Sequence, residues 1–141
     1  MKMTKGKWFA LALGIVLLGA FLFAQWRNTR NIHGDEVVKV YFAGVTESEA
    51  WSAEDAEIFI ELFNGAEYAG RGTGEGGTPE VQVYVLFQDD SYLIVSEFSC
   101  LGRDFEVSLR DAYGKQKAWY YVNSEELKSF IIDMVEKYDD R

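Results

Sequence analysis

With 141 residues, the chain has room for one folded domain beside any membrane segment, and its 48% apolar and 16% aromatic content is unlike that of a disordered chain. Five of the 14 basic residues and none of the 23 acidic residues lie in the first thirty positions, so a formal charge of −14 remains from Asn31 onward. A domain this negative repels nucleic acid and anionic lipid, whereas cationic partners suit it. The single cysteine, Cys100, excludes an intramolecular disulfide and a multi-cysteine metal site.

The N-terminal region, residues 1–27, is predicted to be a membrane anchor. Trp8 to Trp26 form an uncharged stretch of nineteen residues, which spans about 28 Å as a helix, close to the thickness of a hydrocarbon core. The two tryptophans and the basic residues outside them suit the headgroup boundaries. Since three lysines and the amino terminus precede the stretch, we expect a single-pass protein of the cell membrane with its C-terminal domain outside.

A cleaved signal peptide is the alternative interpretation of the same segment, and it would release a secreted domain. Cleavage after Ala24 would place Leu22 at the third-last position of the peptide, and cleavage after Ala20 would place Leu18 there. Signal peptidase prefers small residues at that position. The pattern therefore favours an uncleaved anchor.

A polar tether over residues 28–36 should connect the anchor to an acidic domain at 37–141. The first predicted strand runs from Val37 to Val45. A helix should follow and end at Asn64, before Gly65; Thr46 and Ser52 are both possible caps for it, and Ser52 with Asp55 resembles a capping box. Helical spacing places its apolar residues on one buried face, and its glutamates form a solvated face. The apolar residues are Ala56, Phe59, Ile60 and Phe63, and the glutamates are Glu54, Glu57 and Glu61.

A long flexible loop is predicted from Gly65 to Glu80, because this stretch holds six glycines and Pro79, the one proline. Gly72, Gly74 and Gly77 match the spacing of a dinucleotide-binding loop. That function requires a strand before the glycines and a helix after them, whereas here the predicted order is the reverse.

Four strands and a final helix are predicted next, and the short connections between the strands make neighbouring strands antiparallel. The strands are Val81–Gln88, Tyr92–Phe98, Asp104–Arg110 and Lys117–Asn123. Ser124 should cap the last helix, which has apolar residues at helical spacing through Tyr138. The predicted fold class is therefore α+β: a transmembrane helix and then a β-α-β-β-β-β-α domain, its antiparallel sheet packed against amphipathic helices.

The sheet face that the helices leave uncovered is the predicted binding surface. Strand alternation assigns Glu106, Ser108 and Arg110 to this face. If the strands pair in the expected register, Tyr84, Trp119 and Tyr121 join them, and the five candidate binding residues are Tyr84, Glu106, Arg110, Trp119 and Tyr121. Aromatic rings supply rigid contact area and arginine supplies directed hydrogen-bond donors. Alternatively, these rings pack under the first helix of the domain or under the glycine loop.

Catalytic and metal chemistry find little support in the sequence, so we predict no catalytic residues, no metal site and no cofactor. His33 is the one histidine and lies in the predicted tether, away from any nucleophile of the domain. A pair of catalytic carboxylates stays open in principle. However, Asp89 and Asp90 are typical of a hairpin turn.

The arrangement as a whole resembles small uncharacterised extracytoplasmic domains anchored to Gram-positive bacterial membranes. The resemblance rests on the anchor, the helix ending Leu62-Phe63-Asn64-Gly65, the hairpin Val83–Val95 with its Asp89-Asp90-Ser91 turn, and the late strand Trp119-Tyr120-Tyr121-Val122. It implies placement and fold but no activity. We therefore expect a non-catalytic binding or regulatory module that contacts another envelope protein or a small ligand, with an enzyme accessory or degenerate hydrolase of the envelope as the alternative.

Overall fold

The computed structural model describes residues 4–27, 31–43, 48–73, 79, 81–100 and 102–138. Its contacts divide the chain into two compact units, Met1–Arg30 and Asn31–Arg141. The first unit contains one helix, α1, which spans Lys5–Arg27. The large apolar side chains of α1 described between Trp8 and Phe21 are all exposed. In the part of the chain that the structure describes, no helix meets the length and apolarity that a bilayer crossing requires.

The second unit is an α+β domain whose order is a 3-10 turn, one strand, one helix, five strands and a final helix. The turn is Gly34–Glu36. The strands are β1 Val37–Ala43, β2 Glu67–Arg71, β3 Gln82–Phe87, β4 Tyr92–Cys100, β5 Arg103–Arg110 and β6 Gln116–Asn123, and the helices are α2 Ala53–Asn64 and α3 Glu125–Tyr138. The α+β class, the antiparallel sheet and the two amphipathic helices are thus confirmed.

All six strands form one antiparallel sheet with the order β1-β3-β4-β5-β6-β2, so β1 and β2 are its edges. Strands β3 to β6 are neighbours in both sequence and space, because hairpin connections return the chain directly to the adjacent position. Asp90 occupies the left-handed region at φ 66° in the β3–β4 turn, as its short polar side chain permits.

Both helices of the domain begin at serine caps, as predicted. The Ser52 hydroxyl accepts a hydrogen bond from Asp55 N at 3.2 Å, and the Ser124 hydroxyl accepts one from Leu127 N at 3.1 Å. Each serine satisfies a backbone N–H that lacks a partner within its helix, and acidic residues follow in both first turns. Local sequence therefore determines where α2 and α3 start.

A single core lies between the sheet and both helices, and we call the sheet surface that faces it the helix face. Phe59 and Phe63 of α2 and Leu127, Ile131 and Met134 of α3 belong to one buried cluster with alternate residues of the strands. The strand residues include Val83, Val85, Leu93, Val95, Phe105, Val107, Tyr120 and Val122. Because successive strand residues alternate between faces, the intervening side chains lie on the opposite surface, which we call the second face.

Two boundaries differ from the prediction. The folded unit starts within the predicted tether, because Ile32 is only 2% exposed and exchanges two backbone hydrogen bonds with the Asn64 side chain, at 2.7 and 2.8 Å. The first strand ends at Ala43, and its predicted continuation lies outside the described residues.

The predicted loop at 65–80 is wrong for residues Glu67–Arg71, which form edge strand β2. Glu67 lies opposite Asn123 and Arg71 lies opposite Tyr120, with an irregularity in the register between Tyr68 and Arg71. Gly70 lies in that irregularity at φ 116°, a conformation that strongly favours glycine. Gly70, one of the six glycines on which the loop prediction rested, is thus part of an irregular strand.

Candidate functional site

Strand register brings all five predicted binding residues onto the second face. Glu106 lies opposite Tyr121. Tyr84, Ile94, Ser108 and Trp119 form a continuous row across β3, β4, β5 and β6, and Arg110 lies opposite Tyr92. Since directly opposed residues of an antiparallel pair project to the same side, the predicted set shares one surface, although its members occupy different parts of it.

Trp119 and Tyr121 are covered by the chain that leaves β2. Gly72 N donates to Trp119 O at 2.9 Å, and a Cβ atom at Gly72 would lie 2.2 Å from Trp119 Cδ2. Thr73 contacts the Tyr121 hydroxyl through its own N at 3.2 Å and its Oγ1 at 3.1 Å. Tyr121 is consequently 0% exposed, so its expected position on an open surface is wrong and the alternative, packing under the glycine segment, applies.

Arg103 completes this covered part of the second face. Its guanidinium carbon lies 4.5 Å from the centre of the Tyr121 ring, within the range of a cation–π contact, and its Nε donates to Ala69 O at 3.3 Å. Sequence reasoning missed Arg103 because it precedes the predicted start of its strand, and nothing in its neighbours indicates a ring contact.

Arg110 and Glu106, the two charged residues of the predicted set, have different surroundings. Arg110 Nη1 donates to Gly114 O at 3.0 Å, which ties the side chain to the β5–β6 turn, and its Nε is buried without a hydrogen-bond partner among the described residues. Glu106 is half-buried between β4 and β6, opposite Ser96 and Tyr121. One nitrogen of the Arg110 guanidinium is therefore already used in a hydrogen bond that holds the turn.

A row of tyrosines dominates the remaining part of the second face, and we call Tyr41, Tyr84 and Tyr92 the tyrosine row. The Tyr41 and Tyr84 rings lie 5.7 Å apart and tilted by 42°, and the Tyr84 and Tyr92 rings lie 6.0 Å apart and nearly parallel, at 6°. Lys39 Nζ lies 4.4 Å from the centre of the Tyr41 ring. Three half-buried rings on β1, β3 and β4 thus form one continuous aromatic surface.

Only Tyr84 of the tyrosine row was predicted as a binding residue. Alternation within β1 and β4 could have assigned Tyr41 and Tyr92 to one face of their own strands. Their contact with Tyr84 depends on how β1 and β4 align with β3, and that register is set by long-range pairing rather than by local sequence.

Two groups with shifted pKa values, Asp55 and Lys137, lie away from the second face, near the start of α2 and the end of α3. Hydrogen bonds from Lys137 Nζ, at 2.7 Å, and from the Tyr138 hydroxyl hold the pKa of Asp55 below its ordinary value, and the same contact with Asp55 raises the pKa of Lys137. In the β5–β6 turn, backbone N–H groups of Lys115 and Tyr113 lower the pKa of Asp111. These contacts join secondary structure elements and stabilise ionised carboxylates.

Metal-binding geometry is not seen in the described part of the chain, where no three His, Cys, Asp or Glu side chains group together as a metal site would require. Comparison with protein-family models, curated proteins and solved structures yields no match.

Proposed function

We propose that the domain is a non-catalytic binding or regulatory module that contacts another envelope protein or a small ligand through the tyrosine row. One observation carries the proposal: α2 and α3 share a single core with the helix face, while on the opposite surface the Tyr84 ring contacts the rings of Tyr41 and Tyr92. Tyrosine loses few rotamers on binding and combines apolar area with a hydroxyl group, which makes it effective at interfaces.

The charge of the domain narrows the class of partner. From Asn31 onward the acidic residues outnumber the basic residues by 23 to 9. Acidic surfaces are repelled by phosphate backbones and attracted to cationic groups, so a neutral or basic protein surface suits the domain better than nucleic acid does.

We further propose that α1 anchors the domain to the cell membrane, with the domain outside. The support comes from the uncharged sequence between Trp8 and Trp26, which continues past Phe21, the last residue of α1 whose side chain the structure describes. Apolar side chains are exposed at Phe9, Ile15 and Phe21, which are six residues apart and so point about 120° from one another around the helix, and such an all-round apolar surface suits lipid.

Site-specific photo-crosslinking in the native membrane tests the binding proposal. A benzophenone side chain placed at Tyr84 should form an adduct with one neighbour, and the same probe at Tyr113, which is 95% exposed on the β5–β6 turn, should not. A further Tyr41→Ala change should reduce the Tyr84 adduct, whereas Tyr113→Ala should leave it unchanged. Equal adducts at both probe positions, or none at Tyr84, would remove the tyrosine row as the binding surface.

Two simple measurements test the placement. Protease added to intact cells should remove the domain, and the mass of the purified protein should include α1. A domain that is cut only after the cells are opened contradicts the orientation, and a mass that lacks the first 20 to 24 residues supports signal-peptide cleavage instead.

A further inference from the structure

A second candidate binding site lies on the other side of the domain, in a groove between α2 and edge strand β1. The groove encloses about 790 Å³. Its α2 wall consists of residues at helical spacing along the whole helix, and its other wall includes Val37, Val38 and Val40 of β1. The α2 residues are Ala53, Ala56, Glu57, Ile60, Glu61 and Asn64.

The ends of the groove are defined by contacts within the domain. At one end, the Asn64 side chain is hydrogen-bonded to the backbone of Ile32. At the other end, Trp51 N donates to Val40 O at 2.8 Å, which holds the segment before α2 against β1. The twelve residues of α2 make the groove about 16 Å long, which matches about five residues of extended chain.

The groove has an apolar interior and an acidic rim. Val40 and Trp51 are buried, Ala56 and Ile60 are half-buried, and Val38 is 57% exposed at the edge strand. The carboxylates of Glu57 and Glu61 are exposed on the α2 wall, and the structure shows neither of them in a hydrogen bond or ion pair with the residues it describes. Among the described residues that line the groove, Lys39 is the one basic residue, and its Nζ lies over the Tyr41 ring.

We propose that this groove binds an extended segment of a partner protein that carries two Lys or Arg side chains at alternate positions, with an apolar residue between them. Glu57 and Glu61 are four residues apart, which separates them by about 6 Å along the helix axis. Alternate residues of an extended chain project to the same side about 6.7 Å apart, so two basic side chains match two carboxylates. The intervening apolar residue faces the groove interior.

Charge and edge geometry support this occupant over others. The groove lies on a domain with a formal charge of −14, which attracts a basic segment from a distance. β1 is an edge strand, and its register with β3 shifts around Val38, between Val37 and Lys39. Residues 48–51 already bond the backbone of Val40 and Phe42, so the part of this edge that an extended segment can lie along is the Val38 end.

Binding of short synthetic peptides to the full-length protein in neutral detergent tests the proposal. An end-capped, fluorescent Val-Lys-Val-Lys-Val peptide should bind, and a Val-Val-Lys-Lys-Val peptide of the same composition should bind about tenfold more weakly, because its lysines point in opposite directions. The double variant Glu57→Gln/Glu61→Gln should lower affinity for the alternating peptide by about tenfold or more.

The matched control removes the same charge from the exposed side of α3. Asp133→Asn/Glu136→Gln should leave peptide affinity within about twofold of the unchanged protein. Equal weakening by both double variants would show attraction to net charge alone and overturn the proposal. Equal affinity for the alternating and the rearranged peptide would also overturn it.

A substitution at the edge strand tests the position directly. Val38→Lys places a cation beside the groove and should weaken binding of the alternating peptide, whereas Val38→Glu should preserve it. Sedimentation measurements address the competing occupant, a second copy of the chain. A dimer that Val38→Lys dissociates and that excludes the peptide would assign the groove to self-association and overturn the proposal. None of these variants alters the tyrosine row, so the outcome is independent of the crosslinking test.

Discussion

The Tyr138 hydroxyl donates a hydrogen bond to Asp55 Oδ2 over 2.5 Å, although 83 positions separate the two residues. The same hydroxyl accepts a hydrogen bond from Ser52 N at 2.9 Å, and the Tyr138 ring stacks on Trp51 at 5.6 Å. The end of α3 is therefore joined to the beginning of α2. This junction orders the two helices that bury the helix face.

Tyr138→Phe should destabilise the domain by about 1–3 kcal/mol, because it keeps the ring but leaves Asp55 and Ser52 N without their shared partner. Urea unfolding followed by tryptophan fluorescence measures the change. Tyr113→Phe is the matched control, since Tyr113 is 95% exposed, and it should have no measurable effect. An unchanged midpoint for Tyr138→Phe would show that the hydroxyl contributes nothing at this junction.

Acid should weaken the same junction. The pKa of Asp55 is held below its ordinary value of 3.8, chiefly by Lys137 and then by Tyr138, with burial opposing them. A carboxyl group whose folded pKa is lowered contributes stability above its unfolded pKa and loses it as pH falls towards the folded pKa. The difference in unfolding free energy between the unchanged protein and Asp55→Asn should therefore be constant near neutral pH and shrink below about pH 3.8.

Asp133→Asn is the control for this pH series, because Asp133 is an exposed acid on α3. Its difference from the unchanged protein should stay near zero throughout. A difference for Asp55→Asn that persists undiminished at pH 2.5 would contradict the assigned role of the ionised carboxylate.

Gly72→Ala should destabilise the domain by about 1–3 kcal/mol through overpacking. The added Cβ atom would lie 2.2 to 2.5 Å from three atoms of the Trp119 indole, and the hydrogen bond from Gly72 N to Trp119 O holds the backbone close. Thermal unfolding measures the loss. Gly34→Ala adds the same methyl group where no atom lies within 4 Å and should leave the melting temperature nearly unchanged.

Tyr121→Ala and Tyr84→Ala should differ strongly, although both remove a tyrosine from the second face. Tyr121 is fully buried under Thr73 and Arg103, so its loss should cost about 3–5 kcal/mol. Tyr84 is half-buried in the tyrosine row, and its loss should cost about 1–2 kcal/mol. If urea unfolding gave similar losses of unfolding free energy for the two variants, the tyrosine row would be as deeply covered as the part of the second face around Tyr121.

Much of the fold followed from local patterns. The caps Ser52 and Ser124, the buried stripes of α2 and α3, and the alternation of Phe105 and Val107 with Glu106 and Ser108 were predicted and are present. Each is a local property, because a cap satisfies nearby N–H groups and a periodicity identifies one face of one element. The candidate site was predicted less well. Tyr84 and Tyr121 were both predicted to lie on an uncovered sheet face. Tyr84 is half-buried in the tyrosine row, whereas Tyr121 is fully buried, and Tyr41 and Tyr92 were not predicted as binding residues.

The amino-acid sequence by itself determined the uncharged N-terminal stretch, the acidic character of the domain, and which residues of each helix and strand share a face. Only the tertiary structure decided that Glu67–Arg71 joins the sheet beside β6, that Gly72 and Thr73 cover Trp119 and Tyr121, and that three tyrosines from separate strands meet. These features depend on which distant segments pair and in which register. Strand pairing is decided by the free energy of the whole sheet and core, so it cannot be inferred from a short stretch of neighbouring residues.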